Sequence, residues 1–390
     1  MWDFRGRIME HIKPFAGSDL RLFGEHIYAL QVAKPKIEFV DSNDPNGDGR
    51  DYKEPWMKDF NERRKRTKVR ILKGTVQDNV DILFETRGEH GNWWISDDAR
   101  TIYVTAEWLD WKLEEEVRLN PPKVEPQLRF FTMHKSIDGG QTFKQLDWPS
   151  DRSLGMVLFA ADGRRGYAFN SANTNKPELW QTADGGESWH EVAIPAPYHQ
   201  KVQPFSHDFD TLAVNDDGTL WMSMLVRQDG TVGSLLYRVP WQPDLRDLSK
   251  AEPYHFIPAH RVTDLVEAGR DEVLLNTMQY AFTSEDPVAA EKAESYFMYL
   301  KEKQILNKTN FGRKLYLGKM YLGKNNLICI SSIDNSRSYY GSDVDFISTD
   351  WGKSWRKEDN GSNVYGRYFN PQTNETWMLK IYSLYSRTVK

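Results

Sequence analysis

The densest run of hard oxygen ligands in the chain is Asp41-Ser42-Asn43-Asp44-Pro45-Asn46-Gly47-Asp48-Gly49-Arg50-Asp51. Asp44, Asn46 and Asp48, followed by Gly49, reproduce the opening of a Ca²⁺ loop. Oxygens at alternate positions encircle the ion, and the glycine permits the sharp turn. The closing position of such a loop falls on Pro55 instead of a bidentate glutamate; Glu54 comes one residue early and Asp51 falls between ligand positions. Two readings of 44–54 stand: a solvated acidic loop without metal, which the mismatch favours, and a Ca²⁺ site. No other cofactor is called for. The nine histidines (His11, His26, His90, His134, His190, His199, His207, His255 and His260) are scattered, and H-E-x-x-H, C-x-x-C, G-x-S-x-G and G-x-x-x-x-G-K are all missing. Ser206-His207-Asp208-Phe209-Asp210 is polar enough for chemistry, but a loop histidine satisfied by its neighbours is the plainer reading.

The totals bound what must position any such site. With 390 residues, 14 Trp, 18 Tyr and 19 Phe, the chain can bury a large core, and its aromatic load suits β-sheets. A formal net charge of −5 supplies no basic field to hold nucleic acid. The single cysteine, Cys329, lies in the apolar run Leu327-Ile328-Cys329-Ile330 and reads as a small buried hydrophobe. No apolar run approaches the roughly 18–20 residues of a membrane span. The N-terminal residues carry no charged-then-apolar leader, so the expected compartment is the cytoplasm, or the periplasm if a leader has been removed.

One pattern recurs three times, as Ser136-Ile137-Asp138-Gly139-Gly140-Gln141-Thr142-Phe143, Thr182-Ala183-Asp184-Gly185-Gly186-Glu187-Ser188-Trp189, and Ser348-Thr349-Asp350-Trp351-Gly352-Lys353-Ser354-Trp355. In each, the aspartate (138, 184, 350) is a short acceptor able to bond backbone N–H groups of its own turn. The glycine (140, 186, 352) supplies positive φ. The hydroxyls of Ser136, Thr142, Ser188 and Ser348 can bond within the turn, and the closing aromatic (Phe143, Trp189, Trp355) can be buried. Strand-like flanks make each copy the turn of a β-hairpin.

These copies resemble the Asp-box, or BNR repeat, of sialidase-like β-propellers; only Trp351 departs, where the other two have glycine. The resemblance implies an all-β Asp-box propeller of about six or seven blades, in one domain over 1–390. The spacing of Asp138 and Asp184 suits one four-stranded blade. The final strand is expected to pair with the N-terminal one, because an open ring exposes edges. Strands are expected at 7–12, 20–23, 26–32, 69–72, 80–84, 93–96, 101–105, 130–133, 143–146, 156–160, 166–170, 178–182, 211–214, 219–224, 234–239, 314–317, 327–331, 345–348 and 375–380. Residues 108–116 read as strand or short helix. Two insertions interrupt the rhythm: a long charged loop over 41–66, ending in Arg63-Arg64-Lys65-Arg66, and one helix over 287–304, where Asp286 before Pro287 fits an N-cap.

In that family the box is a structural staple, so it speaks to fold more than to activity. A sialidase should also carry an arginine-bearing F/Y-R-I-P element before its boxes; Tyr237-Arg238-Val239-Pro240 is close in spelling but follows two of them. The preferred reading is therefore a non-enzymatic propeller that binds a protein. A narrower resemblance, over 130–190, is to bacterial immunity proteins that neutralise type VI secretion lipase effectors. It rests on an Asp-box running into Trp-Pro (142–149) and on Gly166-Tyr167-Ala168-Phe169-Asn170. It implies a periplasmic protein whose partner is a secreted phospholipase, with Asp110, Glu114, Glu115 and Glu116 at most steering charges. The alternatives are a sialidase-like glycan-binding or glycan-cleaving propeller and an assembly factor for a larger complex.

Overall fold

The computed structural model describes residues 19–23, 26–33, 66–75, 80–110, 113, 116–117, 119–120, 129–149, 156–170, 178–194, 211–279, 293–313, 315–334, 342–361, 364–371, 373–380 and 383–389. Its strands are β1 (Asp19–Phe23), β2 (His26–Ala33), β3 (Lys68–Gly74), β4 (Asp81–Arg87), β5 (His90–Ile95), β6 (Ile102–Leu109), β7 (Arg129–Ser136), β8 (Lys144–Leu146), β9 (Met156–Phe159), β10 (Gly166–Asn170), β11 (Glu178–Thr182), β12 (His190–Val192), β13 (Leu212–Val214) and β14 (Leu220–Gln228). They continue as β15 (Thr231–Val239), β16 (His255–Pro258), β17 (His260–Gly269), β18 (Glu272–Gln279), β19 (Glu294–Lys301), β20 (Gln304–Arg313), β21 (Leu315–Leu322), β22 (Ile328–Asp334), β23 (Ser342–Ser348), β24 (Arg356–Gly361), β25 (Val364–Asn370), β26 (Glu375–Lys380) and β27 (Ser383–Thr388). Among the described residues, helical geometry is confined to positions between 113 and 119 and a 3-10 turn at Lys324–Asn326.

The strands form antiparallel meanders in which sequence neighbours are spatial neighbours: β1–β4, β5–β8, β9–β12, β13–β16, β17–β20, β21–β24, and the three-stranded β25–β27. They fall into two compact units, Gly17–Ser153 with β1–β8, and Met1–Ala16 with Leu154–Lys390, which holds β9–β27. The expected pairing of the last strand with residues 7–12 lies outside the described residues, as does the loop 41–65 with Asp44, Asn46 and Asp48.

The inner strands β14, β15, β18 and β19 are buried on both faces, and on β14 and β19 successive side chains alternate between core clusters that lie between neighbouring sheets. On β14, Leu220, Met222, Met224 and Val226 join the cluster shared with β9–β12, whereas Trp221 joins the one shared with β17–β20. Leu274, Phe297, Tyr299, Met320, Ile330 and Phe346 fill the next seam, between β17–β20 and β21–β24. In the other unit, Leu30, Ile71, Trp93 and Val104 lie between β1–β4 and β5–β8.

The helix expected over 287–304 is not found where the chain is described. Glu294–Lys301 is β19, residues 302–303 are a tight turn, and β20 follows; positions 287–292 lie outside the described residues. The local helix formers are overruled because both faces of β19 are buried. Tyr296, Met298 and Leu300 face one seam, and Phe297 and Tyr299 the other. Such a strand reads as a continuous apolar run, which periodicity alone cannot tell from a helix.

The three repeated turns join the third and fourth strands of β5–β8, β9–β12 and β21–β24, with one hydrogen-bond set. Ser136 Oγ donates to Asp138 Oδ1 (2.7 Å) and accepts from Gly140 N (2.9 Å), while Asp138 accepts from Thr142 N (3.0 Å) and Thr142 Oγ1 (2.6 Å). Thr182, Asp184, Gly186 and Ser188 repeat it at 2.8, 2.9, 3.0 and 2.6 Å, and Ser348, Asp350, Gly352 and Ser354 at 2.8, 2.8, 2.9 and 2.6 Å. The Thr142 hydroxyl and N–H, with Ser136, hold the Asp138 carboxyl down at about 2; Ser354 and Ser348 do the same for Asp350. Burial pushes Asp184 upward, but the bonds from Ser188 and Thr182 outweigh it and leave its pKa lowered. Gly139 N and Gly185 N each donate to the preceding tight turn of their own sheet, at Arg100 O (2.9 Å) and Arg164 O (2.8 Å).

Trp351 takes the equivalent position in the third turn with φ 61°. Its ring stacks on Tyr299 at 5.1 Å and 14°. Its carbonyl accepts from Asn307 (3.2 Å), and Gly352 O accepts from Thr309 (2.8 Å) and from Trp355 Nε1 (2.9 Å). The third turn is thereby laced to the neighbouring sheet β17–β20. Gly352 itself has φ 78°, and a Cβ there would lie 2.2 Å from Phe297 Cε1. Gly352→Ala is expected to cost about 3 kcal/mol, from overpacking plus left-handed strain. Trp351→Gly exchanges a strained φ for a lost ring stack and should change stability by less than about 1 kcal/mol. Urea unfolding of the two variants checks the ordering.

Candidate interaction surface

In a meander, the first-to-second and third-to-fourth connections lie at one end of the sheet, and the second-to-third connection at the other. The repeated turns occupy the first end. The long connections 34–67, 110–128 and 280–293 leave from the second; in β9–β12 and β21–β24 the second-end connections 171–177 and 335–341 are no longer than the repeated turns, and β13–β16 has its longest connection, 240–254, at the turn end. In β17–β20 and β21–β24 the described residues at the long-connection end are the beginnings of β17, β19, β21 and β23 and the ends of β18, β20 and β22.

His260, at the start of β17, is buried, and the surroundings push its pKa down to about 4 through burial and the nearby Lys308 charge. Its Nε2 lies 3.0 Å from Lys308 Nζ and its Nδ1 3.1 Å from Thr277 Oγ1. An ammonium only donates, so Nε2 accepts and Nδ1 carries the proton toward Thr277. Lys308 Nζ sits 4.5 Å above the Tyr296 ring, and burial lowers its pKa. Tyr296 OH donates to Glu294 (2.8 Å), and Asn310 Nδ2 reaches Glu294 at 2.9 Å. Burial and the Glu294 carboxylate hold the phenol up at about 12. Both imidazole nitrogens are engaged, and the cluster holds a cation and a phenol in place.

Ser295 Oγ donates to Leu315 O, tying this cluster to the next sheet. There Tyr316 and Ile333 are cross-strand partners, 48% and 46% exposed. Asp343 is the next partner across from Ile333. Arg367 of β25 reaches Asp343 at 3.4 Å and pairs with Asp345, itself 1% exposed. Tyr316 and Ile333 thus form an exposed aromatic–aliphatic pair beside the Arg367–Asp343 ion pair. Deeper in the seam, Asp264 of β17 accepts from Met320 N (2.6 Å), and burial raises its carboxyl to about 6.

The candidates nominated by residue pattern fall elsewhere or outside the described residues. Ser206, His207 and Asp208 are not described. Arg238, in the Tyr-Arg-Val-Pro run, spans a seam to Glu267 (3.2 Å) and faces the Trp221 ring at 6.0 Å, so it serves packing between sheets. Asp110 accepts from Leu113 N (3.2 Å) where strand gives way to helical geometry. Among the described residues, no three His, Cys, Asp or Glu side chains are grouped to hold a metal, and no helix is long and apolar enough to cross a membrane. Sequence reasoning missed His260, Lys308, Asp264, Tyr316 and Ile333. Only Asp264, an acid inside Val262-Thr263-Asp264-Leu265-Val266, left a signal, because a charge in an apolar run must be paired or neutralised.

His260 and Asp264 impose opposite pH dependences. His260 has a folded pKa below its unfolded value, so its contribution is full above about pH 6.5 and lost as pH falls toward 4. Asp264 has a raised folded pKa, so its contribution is full below about pH 4 and lost as pH rises through 6. The wild type should show a shallow profile between. His260→Gln should expose the Asp264 slope, with stability falling by on the order of 2 kcal/mol as pH rises from 4 to 6.5; urea melts across that range read it.

The chain matches no family model and no curated protein. Among solved structures it is similar to the β-propeller domain of the Trilobed protease from Pyrococcus furiosus, at 11% identity and TM-score 0.54 over 95% of each chain. It is also similar to the acylaminoacyl peptidase of Pyrococcus horikoshii (11% identity, TM-score 0.52, 97% of this chain and 53% of that one) and to a puromycin hydrolase (10%, TM-score 0.51, 99% and 54%). The chain spans about half the length of those two enzymes. Likeness at this identity carries the fold alone, and that fold is a β-propeller.

Proposed function

We propose that this chain is a seven-bladed, non-enzymatic β-propeller that binds a protein partner through the end of its sheets from which the long connections leave. The observation that carries the reading is the placement of those connections. The turn ends of β5–β8, β9–β12 and β21–β24 are held by self-satisfied aspartate turns, whereas the opposite ends of β1–β4, β5–β8 and β17–β20 give off the long, charged connections 34–67, 110–128 and 280–293, and that end of β21–β24 carries the exposed Tyr316–Ile333 pair. Rigid sheets presenting variable loops are a common way to build a binding surface.

The partner proposed is a secreted bacterial phospholipase of the type VI class, which this chain would neutralise in the periplasm. The support is the resemblance over residues 130–190. Affinity capture of the tagged chain from its native cells, with effector secretion active, should return one stoichiometric lipase whose activity the purified chain suppresses. A stoichiometric partner of another kind would refute the lipase reading, and the absence of any protein partner would refute the binding reading. Tyr316→Ser with Ile333→Ser should weaken the captured complex by at least about tenfold, measured by calorimetry, with the unfolding midpoint of the free chain little changed.

A further inference from the structure

Both first strands at the seam between β17–β20 and β21–β24 are irregular. The register of β17 slips between Val262 and Asp264, and that of β21 between Leu317 and Met320, so that Gly318 and Lys319 bulge. Two side chains of the first sheet grip the bulge. Asp264 Oδ2 accepts from Met320 N (2.6 Å), and Asn276 Nδ2 donates to Gly318 O (2.8 Å). Asp264 and Asn276 are cross-strand partners, side by side on adjacent strands. Asn276 is 0% exposed, and its Oδ1 is a buried acceptor with no donor. A buried orphan acceptor costs about 1–3 kcal/mol, so its persistence beside a carboxyl needs a reason.

We propose that Asp264 carries a proton that it donates to Asn276 Oδ1, and that this proton locks the β21 bulge onto the neighbouring sheet as a pH-sensitive clamp. Protonated, Asp264 has one oxygen to accept from Met320 N and an O–H to satisfy Asn276. Ionised, it sets a carboxylate beside an amide oxygen, and two acceptors repel. The raised carboxyl of Asp264 places the change near pH 6. The charged group facing it is Lys319 on β21, which favours the ionised form and is outweighed by burial. On β18, Glu272 is engaged at the far end by Lys301 (2.7 Å), and β13, Leu212–Val214, has no titratable side chain. On its own strand, Glu267 is paired with Arg238, and Arg261 lies beyond the slip.

The test is hydrogen–deuterium exchange of the peptide spanning β21, in the full chain, at pH 5 and pH 7.5, corrected for intrinsic exchange. The wild type should lose about tenfold or more in protection at the higher pH. Asp264→Asn keeps an acceptor for Met320 N and gives Asn276 an N–H donor, so it should hold the low-pH protection at both. Unchanged wild-type protection, or an Asp264→Asn variant that follows the wild type, overturns the clamp. Should Asp264→Asn fail to fold, the infrared carbonyl band of a protonated carboxyl in the wild type decides: its presence at pH 5 and loss by pH 7.5 supports the clamp, and its absence at both refutes it.

Discussion

A four-stranded antiparallel sheet with two apolar faces cannot bury either face alone, and the architecture depends on that constraint. Each core cluster belongs to two sheets: β14 divides its side chains between two seams, as does β19. Such a sheet is stable only with a neighbour on each side, so it behaves as a repeat whose energy resides largely in its interfaces. Apolar burial at about 25 cal/mol per Å² supplies the driving force, but it is non-directional and does not fix how one sheet slides on the next.

Polar bridges supply that direction. Within the larger unit every seam has at least one: Arg165 to Asp216 O (3.0 Å), Arg238 to Glu267 (3.2 Å), Asp264 to Met320 N (2.6 Å), and Arg367 to Asp345. Burying such groups offsets much of their Coulomb gain, so these bridges act as registration pins more than as sources of stability. The repeated aspartate turns do the same at the sheet ends. In two they close on their own sheet, through Gly139 and Gly185; in the third, Trp351 and Gly352 reach Asn307 and Thr309 of the next.

What is legible in the sequence follows from which forces are local. The turns at 136–143, 182–189 and 348–355 can be read because acceptor, glycine and hydroxyl sit within one short segment. Strands such as Gly166–Asn170, Glu178–Thr182 and Glu375–Lys380 can be read because turn residues bound them. The stretch 294–301 reads as helix yet folds as strand, because its conformation is set by two seams that its own residues do not reveal. The surface at Lys308, Tyr316 and Ile333 is illegible because strand pairing assembles it from distant segments. Trp351 looks like a defect in the repeat; its stack on Tyr299 gives it a place between sheets.

Sheets pinned at their seams and turns leave the opposite end free to vary in length and charge, and the binding account rests on that division. The most direct measurement is a hydrogen-exchange footprint of the chain in complex with its captured protein partner. The account predicts new protection at the long-connection end, in peptides covering 294–296, 310–316 and 333–343, with the turns 139–142, 185–188 and 351–354 unchanged. Protection concentrated on those turns, with the opposite end unaltered, would contradict it.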